Sequence, residues 1–180
     1  MRLVIVDRDG VINEDSADYI RSVDEMRFID GSLEGLGLLT QAGFSVAVAT
    51  NQSGIARGYF DVDTLNRMHG ALCARAAAVG ARIDAVAFCP HGPADRCACR
   101  KPSPGLLITL ARRFSVGLET TPFIGDSLRD LEAGRAAGAI PILVRTGNGV
   151  ATANALSASL KAVRIYKDLR AAAAAIISAQ

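Results

Sequence analysis

Asp7 and Asp9 stand one residue apart, after the apolar run Leu3-Val4-Ile5-Val6 and just before Gly10. Two carboxylates on one short loop repel unless a cation lies between them, and a hard, oxygen-seeking ion such as Mg²⁺ is the natural partner. A calcium loop fits poorly, because Val11 stands where that loop needs its next acid and the residues before it read as a strand. A solvated turn or a helix cap is the other plain reading of Asp and Gly together. The rest of the chain separates these alternatives. Thr50-Asn51, Lys101-Pro102 and Gly125-Asp126 add a hydroxyl, an amide, a lysine and a third carboxylate. Such a set suits phosphoryl transfer. One carboxylate attacks phosphorus, a metal spans carboxylates and phosphate oxygens, and fixed donors hold the oxygens that gain charge.

A second constellation is Cys89-x-His91, a gap of five residues, then Cys97-x-Cys99. Four donors of this kind close a tetrahedral Zn²⁺ site, and a closed site has no position for substrate, so its role is structural. The plain alternative is a group of reduced, oxidation-prone thiols in an exposed loop. The loop leads directly into Arg100 and Lys101. Cys73 and His69 fall inside one helix pattern and are expected as a small buried thiol and a partly exposed helix residue.

These residues need elements to carry them. Arg2 to Val6 reads as a strand buried on both faces, as do Phe44 to Thr50, Ile83 to Cys89, Pro122 to Asp126 and Ile140 to Val144. Helical patterns lie between them over Gly31 to Ala42, Asp61 to Val79, Pro104 to Phe114 and Leu128 to Ala137. Val163 to Tyr166 is expected as an edge strand and Asp168 to Ile177 as a last, alanine-rich helix. Asn13 to Phe28 is polar and irregular, an ordered flap anchored by Tyr19 and Phe28. Strands alternating with helices predict an α/β, doubly wound, Rossmann-like, mostly parallel sheet with helices on both faces. Its strands all end on one edge, which brings Asp7, Thr50-Asn51, Lys101 and Asp126 to a single crevice.

Bulk properties narrow the function classes. The 180 residues suit a single domain, residues 1–180, and at 50% hydrophobic and 21% charged the chain is not disordered. A formal charge of +2 gives no electrostatic case for nucleic acid or a membrane surface. No apolar run is long enough to span a bilayer, and Met1 leaves no space for a targeting segment, so a cytoplasmic protein is expected. Cysteines there argue for metal rather than disulfides. A monomer is expected.

With four motifs in order, the sequence resembles the haloacid dehalogenase superfamily of aspartyl-phosphate phosphatases. They are Asp7-Arg8-Asp9-Gly10-Val11, Thr50-Asn51, Lys101-Pro102 and Gly125-Asp126-Ser127-x-x-Asp130, and the match runs from Leu3 to about Gly147. The resemblance implies that Asp7 is the nucleophile and that Asp9 protonates the leaving oxygen, then deprotonates water. It implies that Thr50 and Asn51 hold phosphate oxygens, that Lys101 neutralises charge, and that Asp7, Asp9 (through its carbonyl) and Asp126 hold Mg²⁺. Asp130 would orient Asp126 or Lys101. For these roles Asp9 should have neighbours that disfavour its charge, while Asp7 stays ionised beside metal and Lys101.

The cysteine loop and the lack of room for a cap domain narrow the resemblance to a capless, zinc-loop branch. Three loops, roughly 13–19, 52–58 and 91–100, must then shape the pocket. Thr50 to Gly58 favours a small-molecule sugar bisphosphate, a heptose 1,7-bisphosphate, dephosphorylated on the route to ADP-heptose and lipopolysaccharide. Gln52 and Ser53 would contact substrate, and Arg57 and Arg100 offer bidentate donors to the phosphate that stays. Histidinol phosphate is the alternative, although its amine would prefer acids there. A polynucleotide 3′-phosphatase would need a basic stripe, which is absent. The alternative from another class is a zinc-stabilised phosphate-binding module without turnover, and the full set of catalytic residue types speaks against it.

Overall fold

A computed structural model describes residues 2–160 and 162–179, the side chain of Ser159 apart. Six strands form one parallel sheet: β1 Arg2–Val6, β2 Phe44–Asn51, β3 Ala85–Cys89, β4 Pro122–Gly125, β5 Ile140–Val144 and β6 Arg164–Tyr166. Their order is β3-β2-β1-β4-β5-β6, so the chain reverses direction across the sheet between β1 and β4. Ligands of doubly wound sheets bind at that reversal, beyond the carboxyl ends of the strands. The helices are α1 Ser32–Gln41, α2 Val62–Ala78, α3 Gly105–Phe114, α4 Leu128–Ala137, α5 Gly149–Asn154 and α6 Leu169–Ser178.

Alternation along the central strands divides the core into two layers, because successive side chains point to opposite faces. Val4, Val6, Val46 and Val48 pack with Leu36, Leu65, Met68, Leu72 and Ile176, that is, with α1, α2 and α6. Leu3, Ile5, Ala47 and Ala49 pack with Leu106, Leu107, Leu110 and Ala133 of α3 and α4. Both faces of β1 are therefore covered, which is why its sequence is unbroken hydrophobic. Asp61 caps α2 as expected, its carboxylate accepting from the Thr64 N–H at 2.7 Å. The flap is pinned at both ends. Asn13 bridges Asp9 and Phe28 through the backbone, and the Tyr19 ring lies 5.0 Å from that of Tyr59.

Two expectations on α2 are corrected. His69 is not partly exposed but buried, beside Met68 on the inward face, while Cys73 is half-buried rather than buried. An element not expected from sequence, α5, follows β5 and packs its first turn against the sheet edge, with Thr152 donating to the Asp126 carbonyl at 2.9 Å. Among the described residues, no helix is long and apolar enough to cross a membrane.

The sheet meets the site at Gly125, the last residue of β4. A Cβ there would overlap the side chain of Asp130, which comes back over the strand from the first turn of α4. Gly125→Ala should cost about 1–3 kcal/mol by overpacking and push Asp130 aside. Urea unfolding of the variant checks the cost, and a stability equal to the parent's would show that the close approach is not real.

Candidate active site

At the carboxyl edge of the sheet a cleft of about 320 Å³ opens over Asp7, Asp9, Thr50, Asn51, Lys101 and Asp126. The four motifs therefore converge as topology requires. All three loops expected at the rim are present, represented by Asp15 and Tyr19, by Gln52 to Arg57, and by Pro93 and Arg100. The start of α4 and the residue before α5 complete the rim, contributing Arg129 and Asn148.

Lys101 organises the floor. Its ammonium is 2% exposed and reaches Asp7 Oδ1 at 2.8 Å, Asp130 Oδ1 at 2.7 Å and the Ala49 carbonyl at 2.9 Å. Three acceptors match its three donors. Burial disfavours the charge, but Asp130 and Asp7 outweigh it and hold the Lys101 pKa above its ordinary value. Asp130 is held from its other side by the Ser127 N–H at 3.0 Å and hydroxyl at 2.5 Å. Of the two roles left open for Asp130, the geometry is that of a partner to Lys101.

The side chain of Asn51, expected to hold phosphate, is also tied to the backbone of Lys101. Its amide donates to the Lys101 carbonyl at 3.1 Å and its oxygen accepts from the Lys101 N–H at 3.1 Å. Asn51 thus fixes the Lys101 backbone with its oxygen and one amide N–H while lining the cleft. A short polar side chain at a strand end bonds a passing backbone readily, and here that backbone is the end of the cysteine loop.

Asp7 accepts the Arg8 N–H at 2.7 Å and the Lys101 ammonium, both on Oδ1. Among the described residues no hydrogen bond reaches Oδ2. Burial raises the Asp7 pKa well above the carboxylate range, and repulsion from Asp130 and Asp126 adds to this against the pull of Lys101. Asp126 is likewise pushed up, to about 6, by burial, although two bonds from Asn148 at 2.7 and 3.1 Å oppose the shift. Gly10 and Gly147, both at positive φ, pass so close to the Asp126 carboxylate that a Cβ on either would overlap it.

Asp9 behaves opposite to expectation. Burial pushes its pKa up, yet Arg8 and bonds from Asn13 and Gln52 more than reverse this, and the net shift is downward. The cause is Arg8, to which the sequence reading gave no role. Its buried guanidinium folds under Asp9 with Nε 3.0 Å from Oδ1 and Nη2 2.9 and 3.0 Å from Oδ1 and Oδ2. Asn13 donates to Oδ1 and Gln52 to Oδ2, each at 2.8 Å, and Gln52 also donates to Thr50 Oγ1 at 2.8 Å. Gln52 therefore orients the acid from beside it. Ser53 is buried at the cleft wall, Arg57 lies over the Tyr19 ring at 5.8 Å, and Arg100 donates to the His91 carbonyl at 3.2 Å.

Two groups of side chains can hold metal. Carboxylate oxygens of Asp7, Asp126 and Asp130 lie within 4.8 Å of one another, and three acids around one buried ammonium leave a charge deficit that a divalent cation meets. The Asp9 carboxylate is not among them, being taken by Arg8, so only its backbone carbonyl remains for that ion. Cys89, His91, Cys97 and Cys99 form the other group. Their donor atoms stand 3.1 to 3.6 Å apart where they approach one another, close to the edge of roughly 3.8 Å implied by Zn–S bonds of ~2.3 Å in a tetrahedron. The start of α3 seals this loop from behind, since a Cβ on Gly105 would overlap the Ala98 carbonyl.

Sequence reasoning missed Arg8, Asn13, His69, Arg129 and Asn148. Asn148 was within reach, because it follows the end of β5 on the same sheet edge. The others carry no spacing signal.

Sheet order and edge chemistry are those of the HAD-like hydrolases. A family model described as HAD-hydrolase-like matches residues 98–172. A D-glycero-beta-D-manno-heptose-1,7-bisphosphate 7-phosphatase of Bordetella bronchiseptica is 49% identical over 173 residues, 96% of each chain, and the Pseudomonas aeruginosa enzyme of that name is 49% identical over 97% of each. Among solved structures, the D,D-heptose 1,7-bisphosphate phosphatase of B. bronchiseptica complexed with magnesium and phosphate superposes with a TM-score of 0.95, at 47% identity over 100% of both chains. The enzyme from Burkholderia thailandensis superposes at 0.78, with 44% identity over 99% of both. The chain belongs to the D-glycero-beta-D-manno-heptose-1,7-bisphosphate 7-phosphatase family.

Burial, joined by the Arg8 charge, pushes the His69 pKa down to about 4, with Asp9 opposing. An unfolded histidine titrates near ~6.5, so the unfolded chain binds the extra proton first as pH falls. The stability this site contributes is present above pH ~6.5 and lost as pH falls toward about 4, up to about 3 kcal/mol. Urea midpoints across that window should fall less steeply in His69→Gln, and identical slopes would contradict the assignment.

Proposed function

We propose that residues 1–180 act as one cytoplasmic phosphatase domain that hydrolyses the C7 phosphate of D-glycero-β-D-manno-heptose 1,7-bisphosphate, through a phospho-aspartate on Asp7. The observation that carries this reading is the split of Asp7, which lines the cleft with Oδ1 tied to Lys101 and Arg8 and with no hydrogen bond reaching Oδ2 among the described residues. Oδ2 attacks phosphorus, the bond from phosphorus to the C7 oxygen breaks, and Asp9 gives that oxygen a proton. Water then attacks the acyl phosphate, Asp9 takes its proton, and phosphate leaves. In the free chain Asp9 is a carboxylate, and a phosphate dianion arriving beside it raises its affinity for the proton it must carry. Lys101 offsets the charge of Asp7 and of the phosphate oxygens, and Thr50 and Ser53 line the wall on which those oxygens rest.

Asp7, the Asp9 carbonyl and Asp126 fit Mg²⁺, which when bound supplies charge neutralisation between nucleophile and phosphate. Cys89, His91, Cys97 and Cys99 fit a structural Zn²⁺. Arg57, Arg100 and Arg129 ring the mouth of the cleft against the single rim acid Asp15, which suits a second phosphate better than the cationic amine of histidinol phosphate.

Asp7→Asn should lower kcat by about 10³-fold or more with an unchanged circular dichroism spectrum, and appreciable turnover would sink the nucleophile assignment. Arg57→Ala should cost about 10- to 100-fold in kcat/KM on the bisphosphate and little on a heptose 7-phosphate. Equal losses on both substrates would remove Arg57 from the second-phosphate site. Metal analysis of the purified chain should find one zinc that survives dialysis, abolished by Cys97→Ser. A zinc-free chain of full stability would undo the loop reading.

A further inference from the structure

The catalytic chemistry leaves one buried polar pair unused. Arg8 is 1% exposed and His69, 8% exposed, meets it from α2, with Arg8 Nη1 3.3 Å from His69 Nε2. A guanidinium has donors only, so Nε2 must present its lone pair, which makes His69 neutral with its proton on Nδ1. The two other nitrogens of the fork hold the Asp9 carboxylate. His69 is fixed in turn. Its neighbours on α2, Leu65, Met68 and Leu72, are wholly buried, and its ring packs 6.0 Å from that of Phe88 on β3. The inward face of α2 is otherwise apolar at these positions, and packing alone asks for another Leu or Met there.

We propose that His69 is a positioning residue for Asp9, acting through Arg8: it accepts from the far nitrogen of the guanidinium and so fixes the plane of the fork that aims the Asp9 carboxyl. The inference rests on the acid–base role given to Asp9 above. Asp9 sits on a loop with one short rotatable side chain, and a planar fork locked at both ends transfers the rigidity of α2 to it. Without an acceptor at residue 69, one donor of a buried guanidinium is unpaired and the fork rotates to satisfy it. Asp9 then loses alignment with the leaving oxygen while Asp7, Lys101 and the cleft stay in place.

Leaving-group dependence tests this. A sugar alkoxide must be protonated as it departs, whereas p-nitrophenolate leaves without help. His69→Phe, which keeps a ring against Phe88 but has no acceptor, should lose roughly 10- to 100-fold in kcat on the heptose bisphosphate with KM little changed. On p-nitrophenyl phosphate the loss is read in kcat/KM, which reports only the steps up to departure of the leaving group and leaves out the hydrolysis of the phospho-aspartate that both substrates share. It should be less than about threefold there against roughly 10- to 100-fold on the bisphosphate, and His69→Gln, whose amide oxygen can accept, should recover most of the difference. Equal losses on both substrates, no loss at all, or a glutamine variant as impaired as phenylalanine would each overturn the proposal. His69→Leu serves in the same comparison if the phenylalanine variant does not fold. Asp9→Asn run in parallel separates the two readings. If it shows no leaving-group dependence, the acid role of Asp9 fails; if it does and His69→Phe does not, only the role of His69 fails.

Discussion

A single buried ammonium sets the terms for everything around it. Lys101 sits among Asp7, Asp130 and the Ala49 carbonyl with no donor to spare. Moving such a charge out of water costs several kcal/mol unless its partners are placed well. Each nearby feature serves that placement. Asn51 grips the Lys101 backbone, Ser127 holds Asp130 from its far side, and Gly125 clears the space that Asp130 crosses. The cysteine and histidine cluster lies immediately before it in the chain. One lysine thus links β2, the cysteine loop, β4 and α4, and Asp7 inherits its position from them.

The two acids of the first loop illustrate how environment divides chemically identical side chains. Asp7 is surrounded by other carboxylates and buried, so its proton affinity rises until cations arrive. Asp9, two residues on, rests on a guanidinium and stays ionised in the free chain. Both conditions concern the chain before substrate and metal, and both reverse in the right sense when they bind. A dianion beside Asp9 favours a proton there, and cations beside Asp7 favour its loss.

Much of this was legible in the sequence because it depended on periodicity and topology. Uninterrupted apolar runs fixed the central strands, and parallel order then forced Asp7, Thr50, Lys101 and Asp126 to one edge. The Cys/His spacing located the second cluster without knowledge of the fold. What stayed hidden turned on side-chain direction at loops. Nothing in the spacing of Asp7, Arg8 and Asp9 says that the guanidinium folds underneath rather than out to solvent. His69 has the same helical period as its apolar neighbours, and only the three-dimensional approach of α2 to the first loop gives it a partner. The resemblance gave Asn51 a phosphate role, and nothing in the spacing says that its side chain also holds the backbone of Lys101.

The strand order also bears on when the site comes into being. β1 is made first but occupies the middle of the sheet, between β2 and β4. As the chain is synthesised, Asp7 is present long before the lysine, the third carboxylate and the strand that flanks it. A chain ending before Lys101 carries Asp7 without the ammonium that neutralises it, and one ending before α4 has that ammonium but lacks Asp130, its second partner. The set of charges around Asp7 is complete only once Asp130, in the first turn of α4, has been made.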